Sequence, residues 1–163
     1  MMKFILVLLT IFLFTFSAKA VQPAVSKKFK KELSKHFDLE SLTTVENKEL
    51  STNDDLFLNI YDGDKSLGVV VLTTARGRYD KFDFMIIYNQ DCIVELIKIL
   101  VYRSDYGAEI TAKRWLSQFY TKKEDSLKYG TDIQAISGAT FSAMSLTKNV
   151  NRINKILESY KLD

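Results

Sequence analysis

Four consecutive residues, Ser137-Gly138-Ala139-Thr140, place two hydroxyls and a glycine directly before the longest helical pattern of the chain. We predict that Ser137 is the N-cap of this helix and that Thr140 lies about one turn inside it. Unpaired amides and the positive end of the helix dipole favour an anion there, and Gly138 lets a phosphate approach the backbone. Thr140 is therefore suited to carry a phosphate ester. An ordinary helix cap uses the same residue types, and this alternative stays open on the tetrapeptide alone.

The helices that position this tetrapeptide can be predicted from the spacing of apolar side chains. A long helix is predicted over 140–160, where such side chains lie three or four residues apart. They are Phe141, Met144, Thr147, Val150, Ile153, Ile156, Leu157 and Tyr160. A short helix is predicted within 107–119, followed by a charged loop. Its apolar positions are Ile110, Trp115, Leu116 and Phe119.

Two β-hairpins are predicted before these helices. The first joins 56–61 to 67–74 through a turn that contains Asp62-Gly63-Asp64-Lys65, which is a hairpin signal. The second joins 82–88 to 93–102. We expect one face of its last strand to carry Ile93, Glu95, Ile97, Ile99 and Val101. The pattern predicts an α+β fold, with an antiparallel sheet of two hairpins packed with helices and a long C-terminal helix that starts at the Ser-Gly-Ala-Thr motif.

The N-terminus has the layout of a signal peptide over 1–20. Lys3 is followed by an apolar run over 4–16 and then by the small residues Ala18 and Ala20. A bilayer-spanning helix needs roughly 20 apolar residues, and this run is shorter. We therefore predict export and cleavage after Ala20, and an uncleaved anchor is the alternative.

Residues 21–55 are predicted to form an N-terminal helix and a connector, and 56–163 the main domain. Over 25–37 apolar side chains recur every four residues among five lysines, which predicts a short amphipathic helix. We interpret the lysines as a solvated face, and contact with a membrane surface of anionic lipid is the alternative. The segment 39–53 is polar and is predicted to be a connector with room for one irregular strand.

Composition excludes several classes of function. The formal charge of +3 is small, and loss of Lys3 and Lys19 with the leader leaves 21 basic residues against 20 acidic ones, which disfavours nucleic acid. Cys92 is the single cysteine and His36 the single histidine. The chain therefore has no intramolecular disulfide, no cluster with zinc-site spacing and no Ser/His/Asp arrangement.

The wider segment 132–142, which reads Asp-Ile-Gln-Ala-Ile-Ser-Gly-Ala-Thr-Phe-Ser, resembles the flavinylation motif of the FMN-binding domain family. This family includes the C subunit of sodium-pumping NADH:quinone reductase and the G subunit of the Rnf complex. The resemblance implies that Thr140 carries FMN through a phosphoester, with Ser137, Gly138 and Ala139 around it. It also implies that a secreted, magnesium-dependent FAD:protein FMN transferase attaches the FMN from FAD.

The resemblance extends over roughly 66–157 and includes the second hairpin and the loop after it. Gly107 is retained from the loop of the family. Tyr106 and Trp115 are candidate ring contacts, and a core position is the alternative for Trp115. Arg103 is a candidate partner of phosphate or of a ring oxygen, and an ordinary surface position near acidic residues is the alternative. Arg114 is a second candidate for the arginine's role. The chain departs from the family at Gln134, where the motif has an aspartate, and at 104–107, where the family has a different acidic turn.

The resemblance implies an electron-transfer flavoprotein or redox subunit rather than a stand-alone enzyme. Such a protein would act in the periplasm, or at the outer face of the cytoplasmic membrane, of a bacterium and would exchange electrons with membrane or envelope redox proteins. Two alternatives stay open. One is a module that binds FMN or another phosphorylated ligand without a covalent bond, and the other is a flavin-free envelope interaction domain of the same fold.

Overall fold

The computed structural model describes residues 23–39, 41–122 and 126–160. The predicted signal peptide over 1–20 lies outside these residues. Within the described ranges, no helix is both long enough and apolar enough to span a bilayer.

The fold is built on a five-stranded antiparallel sheet in which the strands pair in chain order. The strands are β1 (Leu42–Glu46), β2 (Leu56–Asp62), β3 (Lys65–Arg76), β4 (Lys81–Tyr88) and β5 (Val94–Val101). Both predicted hairpins are confirmed as the β2–β3 and β4–β5 pairs. β1 lies within the segment predicted as a connector and pairs regularly with β2 from Leu42↔Asp62 to Glu46↔Leu58.

Helices cover both faces of the sheet, which explains why consecutive residues of β3 are buried. Val69, Val70 and Val71 are all fully buried, although a strand with one solvated face would alternate. One face is covered by α1 (Pro23–Phe37) and the other by α3 (Thr140–Ser159) together with the short α2 (Lys113–Leu116). The predicted α+β class with a long C-terminal helix is confirmed.

α1 has the predicted amphipathic pattern. Val25, Phe29 and Leu33 are buried against the sheet, because a four-residue spacing keeps them on one side of the helix. The opposite side is exposed and basic. Its lysines are Lys27, Lys28, Lys30, Lys31 and Lys35.

Three details of the predicted pattern are wrong. β5 has register shifts opposite Asp83/Phe84 and Ile87/Tyr88, so Glu95 is exposed and the alternation expected along 93–101 is broken. The segment 107–119 folds as three short helical turns instead of one helix. In α3, Phe141 and Met144 are 62% and 53% exposed, because Ala143 and Leu146 occupy the buried side of the first turns instead.

Candidate functional site

The helix α3 begins at Thr140, and its N-cap is Ala139, which makes no capping bond through its side chain. The prediction that Ser137 caps the helix and that Thr140 lies one turn inside is therefore wrong. Gly138 has φ +82°, a left-handed conformation that favours glycine and keeps the chain in a turn at this point. Thr140 is consequently the first residue of the helix, and its side chain is exposed.

The start of α3 presents backbone amides without a partner inside the helix. The hydrogen bond from the Ala143 amide to the Ala139 carbonyl, at 2.9 Å, opens the helical ladder. The amides of Thr140, Phe141 and Ser142 precede it and have no carbonyl four residues back to which they can donate within the helix. Together with the helix dipole, these donors make the position favourable for a phosphate.

Most of the hydroxyls near this helix start are already hydrogen bonded. Ser142 Oγ lies 2.9 Å from the Tyr102 hydroxyl, Ser145 Oγ accepts from the Arg76 amide at 3.1 Å, and Thr147 Oγ1 donates to the Ala143 carbonyl at 2.9 Å. The Thr140 hydroxyl makes no hydrogen bond within the described ranges. It is exposed at the first helical position and is therefore available for chemistry.

Glycines let the neighbouring loops approach the helix start closely. A Cβ on Gly107, whose φ is +83°, would lie 2.6 Å from the Tyr102 hydroxyl and 3.5 Å from the Cα of Ala139. A Cβ on Gly77 would lie 3.1 Å from Ser142 Oγ. The Tyr102 hydroxyl also donates to the Tyr106 carbonyl at 2.8 Å. Gly107 and Tyr102 thus fix the loop after β5 against the first turn of α3.

An exposed group of side chains, which we call the aromatic strip, lies beside the helix start and consists of Tyr106, Tyr79, Arg78 and Phe141. The centroids of the Tyr106 and Tyr79 rings are 6.0 Å apart. The guanidinium carbon of Arg78 lies 5.6 Å from the ring centroids of both Tyr79 and Phe141. Because Phe141 follows Thr140 directly, one end of the strip adjoins the candidate attachment residue.

The structure brings some of the predicted site residues together and places others elsewhere. Gly107 and Tyr106 lie at the helix start with 137–140. Arg103 donates to Asp83 Oδ2 at 2.5 Å and to the Lys81 carbonyl at 3.0 Å, which directs its guanidinium to β4. Trp115 is 6% exposed, and its indole nitrogen donates to the Gln134 carbonyl at 2.8 Å. Trp115 therefore supports the segment before the motif from inside the core.

Sequence reasoning did not single out Tyr102, Arg78 or Tyr79 for the site, and it used Phe141 only as an apolar position of the predicted helix. The available signal was the turn 77–79, a Gly-Arg-Tyr sequence between two predicted strands. An arginine and a tyrosine at an exposed turn are ordinary by themselves. Only their position next to α3 makes them candidates for the site.

Buried polar contacts hold α3 against the sheet and so fix the position of its first turn. Arg152 of α3 donates to both carboxylate oxygens of Asp55, at 2.6 and 2.8 Å. Burial opposes ionisation of Asp55, but hydrogen bonds from Arg152 and Thr73 outweigh it and lower the pKa of this carboxyl. The Tyr88 hydroxyl donates to Asn154 Oδ1 at 2.7 Å, and burial raises the pKa of Tyr88, which keeps it neutral.

Two surface clefts of about 260 and 240 Å³ lie away from 137–142. The larger borders β5 between α1 and α2, and the smaller lies at the Ser66 and Asn89 turns. Among the described side chains, no group of three or more His, Cys, Asp or Glu residues could hold a metal ion. No protein-family model matches the chain, and no curated protein matches it significantly.

Proposed function

We propose that this chain is an exported flavoprotein that carries FMN on Thr140 through a phosphoester and acts in extracytoplasmic electron transfer. The main support for the proposal is the environment of the Thr140 hydroxyl. It is exposed, makes no hydrogen bond within the described ranges and stands at the first position of a 20-residue helix.

The residues at the helix start fit the phosphate of FMN. The amides of Thr140, Phe141 and Ser142 are donors at the positive end of the helix dipole. Gly138 itself has no side chain over these amides, and the Glu109 carboxylate lies beside the turn, with Oε1 3.2 Å from where a Cβ on Gly138 would stand. In the transfer, the Thr140 oxygen would form a bond to the FMN phosphorus while the pyrophosphate bond of FAD breaks, so that AMP leaves and the hydroxyl proton passes to solvent.

The open surface around Thr140 favours a covalent attachment over a reversible one. Small molecules that bind reversibly are usually enclosed by a cleft, whereas the side chains around Thr140 are largely exposed. Tyr79 is 63% exposed, Tyr106 71% and Phe141 62%. A covalent bond retains a ligand on such a surface, and outside the cell it also prevents loss by dilution.

When bound, FMN supplies one- and two-electron chemistry, and the protein supplies its position and surroundings. The rigid attachment of α3 through Arg152 and Asp55 holds the first turn in place. The chain then serves as an electron carrier or redox subunit whose partners are membrane or envelope redox proteins. Its modifying partner is an FAD:protein FMN transferase.

A reversible site for FMN or another phosphorylated ligand at the same helix start is the second candidate. The free amides of the first turn favour it, because they bind phosphate whether or not an ester forms.

The proposal is tested by expression with the leader in a host that exports the protein together with an active flavin transferase. After denaturation, flavin fluorescence that stays with the protein band in a gel is the expected result. Thr140→Ala should abolish this fluorescence, and Ser142→Ala is the matched control that should retain it. Flavin that leaves on denaturation supports the reversible site instead. Wild-type protein that carries no flavin before denaturation, with the transferase active on another substrate, would refute both.

A further inference from the structure

The aromatic strip of Tyr106, Tyr79, Arg78 and Phe141 joins three segments that are distant in sequence. Arg78 and Tyr79 belong to the turn between β3 and β4, Tyr106 to the loop after β5, and Phe141 to the first turn of α3. The three rings are each more than 60% exposed. Tyr106 packs beside Tyr79, and the Arg78 guanidinium connects Tyr79 to Phe141, so that the four side chains form one exposed surface outside the core.

Arg78 has an unusual environment for an exposed arginine. Its guanidinium contacts two rings, Tyr79 and Phe141, at 5.6 Å each, and it forms no ion pair with any carboxylate in the described ranges. A cation over aromatic faces is attracted by their quadrupoles. This arrangement keeps a positive charge within an aromatic surface while its donors stay available to a ligand.

We propose that the aromatic strip binds the planar ring of the flavin, with Arg78 as the residue that sets its electrostatic environment. This inference rests on the proposed function, because attachment of FMN to Thr140 would place the flavin ring next to the strip. The chemistry fits, since a flat aromatic ring stacks on tyrosine and phenylalanine faces. A guanidinium beside the ring stabilises whichever redox state carries more negative charge, so Arg78 raises the midpoint potential.

The strip also gives a reason for the exposure of Phe141. This residue fits the apolar periodicity of α3, but its side chain lies outside the core, beside Thr140. Exposure of a phenylalanine in the first helical turn is compatible with a ligand that covers it when attached. Contiguous apolar surface of this kind often marks a binding site.

The test uses the flavin-loaded protein, with loading established by the mass of the intact chain. Tyr79→Ala and Phe141→Ala should each lower the ratio of stacked to unstacked ring about fivefold, taking an aromatic contact at the middle of its usual range. The measured signal is a rise in flavin fluorescence, because stacked rings are quenched. Arg78→Gln should lower the midpoint potential measured by redox titration.

Two remote substitutions are the controls. Val45→Ala changes an apolar side chain on β1 that is 55% exposed, and Lys48→Gln removes an exposed cation from the turn after β1. Both should leave fluorescence and potential unchanged. Thermal unfolding of each unloaded variant verifies that the fold is intact.

The outcomes separate this inference from the function on which it rests. Loaded variants of Tyr79, Phe141 and Arg78 with the fluorescence and potential of wild type would overturn the ring site and leave the attachment at Thr140 standing. A wild-type chain that never acquires flavin overturns both proposals.

Discussion

Replacement of Gly107 by alanine tests how the loop after β5 is fixed against the first turn of α3. Gly107 has φ +83° and ψ 17°, and a left-handed conformation costs an alanine about 1–2 kcal/mol. The new Cβ would also lie 2.6 Å from the Tyr102 hydroxyl. Tyr102 must then move and give up its hydrogen bonds to Ser142 and to the Tyr106 carbonyl.

Each of these two hydrogen bonds contributes about 0.5–1.5 kcal/mol to stability. The total expected for Gly107→Ala is therefore about 2–5 kcal/mol, measured as the change in the free energy of unfolding by urea. Gly130→Ala is the matched control, because Gly130 has φ +90° and a Cβ there would have no atom within 4 Å. The control should cost only the conformational part, about 1–2 kcal/mol.

A double variant distinguishes the steric cause from the conformational one. Tyr102→Phe removes the hydroxyl that the Cβ would meet, so Gly107→Ala should cost less in the Tyr102→Phe background than in wild type. Equal losses in the Gly107→Ala and Gly130→Ala proteins would refute the reasoning, and so would strict additivity in the double variant.

Three further predictions concern the surroundings of the site. Asp55→Asn should cost about 2 kcal/mol at neutral pH, less than a fully buried ion pair because the Arg152 side chain is 41% exposed. The pKa of Asp55 is lowered from 3.8, so its contribution to stability is present above that value and is lost as the pH falls below it. The free energy of unfolding of Asp55→Asn should therefore fall less steeply with decreasing pH than that of wild type. An unchanged slope against pH would contradict this. Trp115→Phe removes the hydrogen bond from the indole nitrogen to the Gln134 carbonyl and should lower the free energy of unfolding by about 1–2 kcal/mol. The fluorescence of attached flavin should stay unchanged, because Trp115 lies in the core. A changed emission would show that Trp115 contacts the ring. Gln134→Asp should raise flavin loading at limiting transferase without a change in the thermal midpoint, and equal loading would show that the exposed side chain at 134 has no part in recognition.

Residue patterns within short segments of the sequence predicted most of the strands and helices correctly. The turn at Asp62-Gly63 and the apolar strands beside it located the first hairpin, and the four-residue spacing of Val25, Phe29 and Leu33 located α1. These features depend on neighbours in sequence. β1 was harder to predict because its strand is short and polar, and its pairing with β2 is a tertiary contact.

The details that escaped prediction depend on long-range packing or on backbone geometry. The bulges of β5 follow from its pairing with β4, and no turn residue in the sequence predicts them. The left-handed Gly138 delays the start of α3 and removes Ser137 from the cap position. Thr140 was proposed as the attachment residue from its motif, whereas Arg78 and Tyr79 became candidates only because the fold places their turn next to it.

Peptide mass mapping of the exported protein, made together with an active flavin transferase, tests directly whether FMN is attached to Thr140. We expect the peptide containing 137–142 to gain the mass of one FMN in ester linkage and fragmentation to locate the added mass on Thr140. An unmodified Thr140, with the added mass on Ser137, on Ser142 or nowhere in the chain, would contradict it.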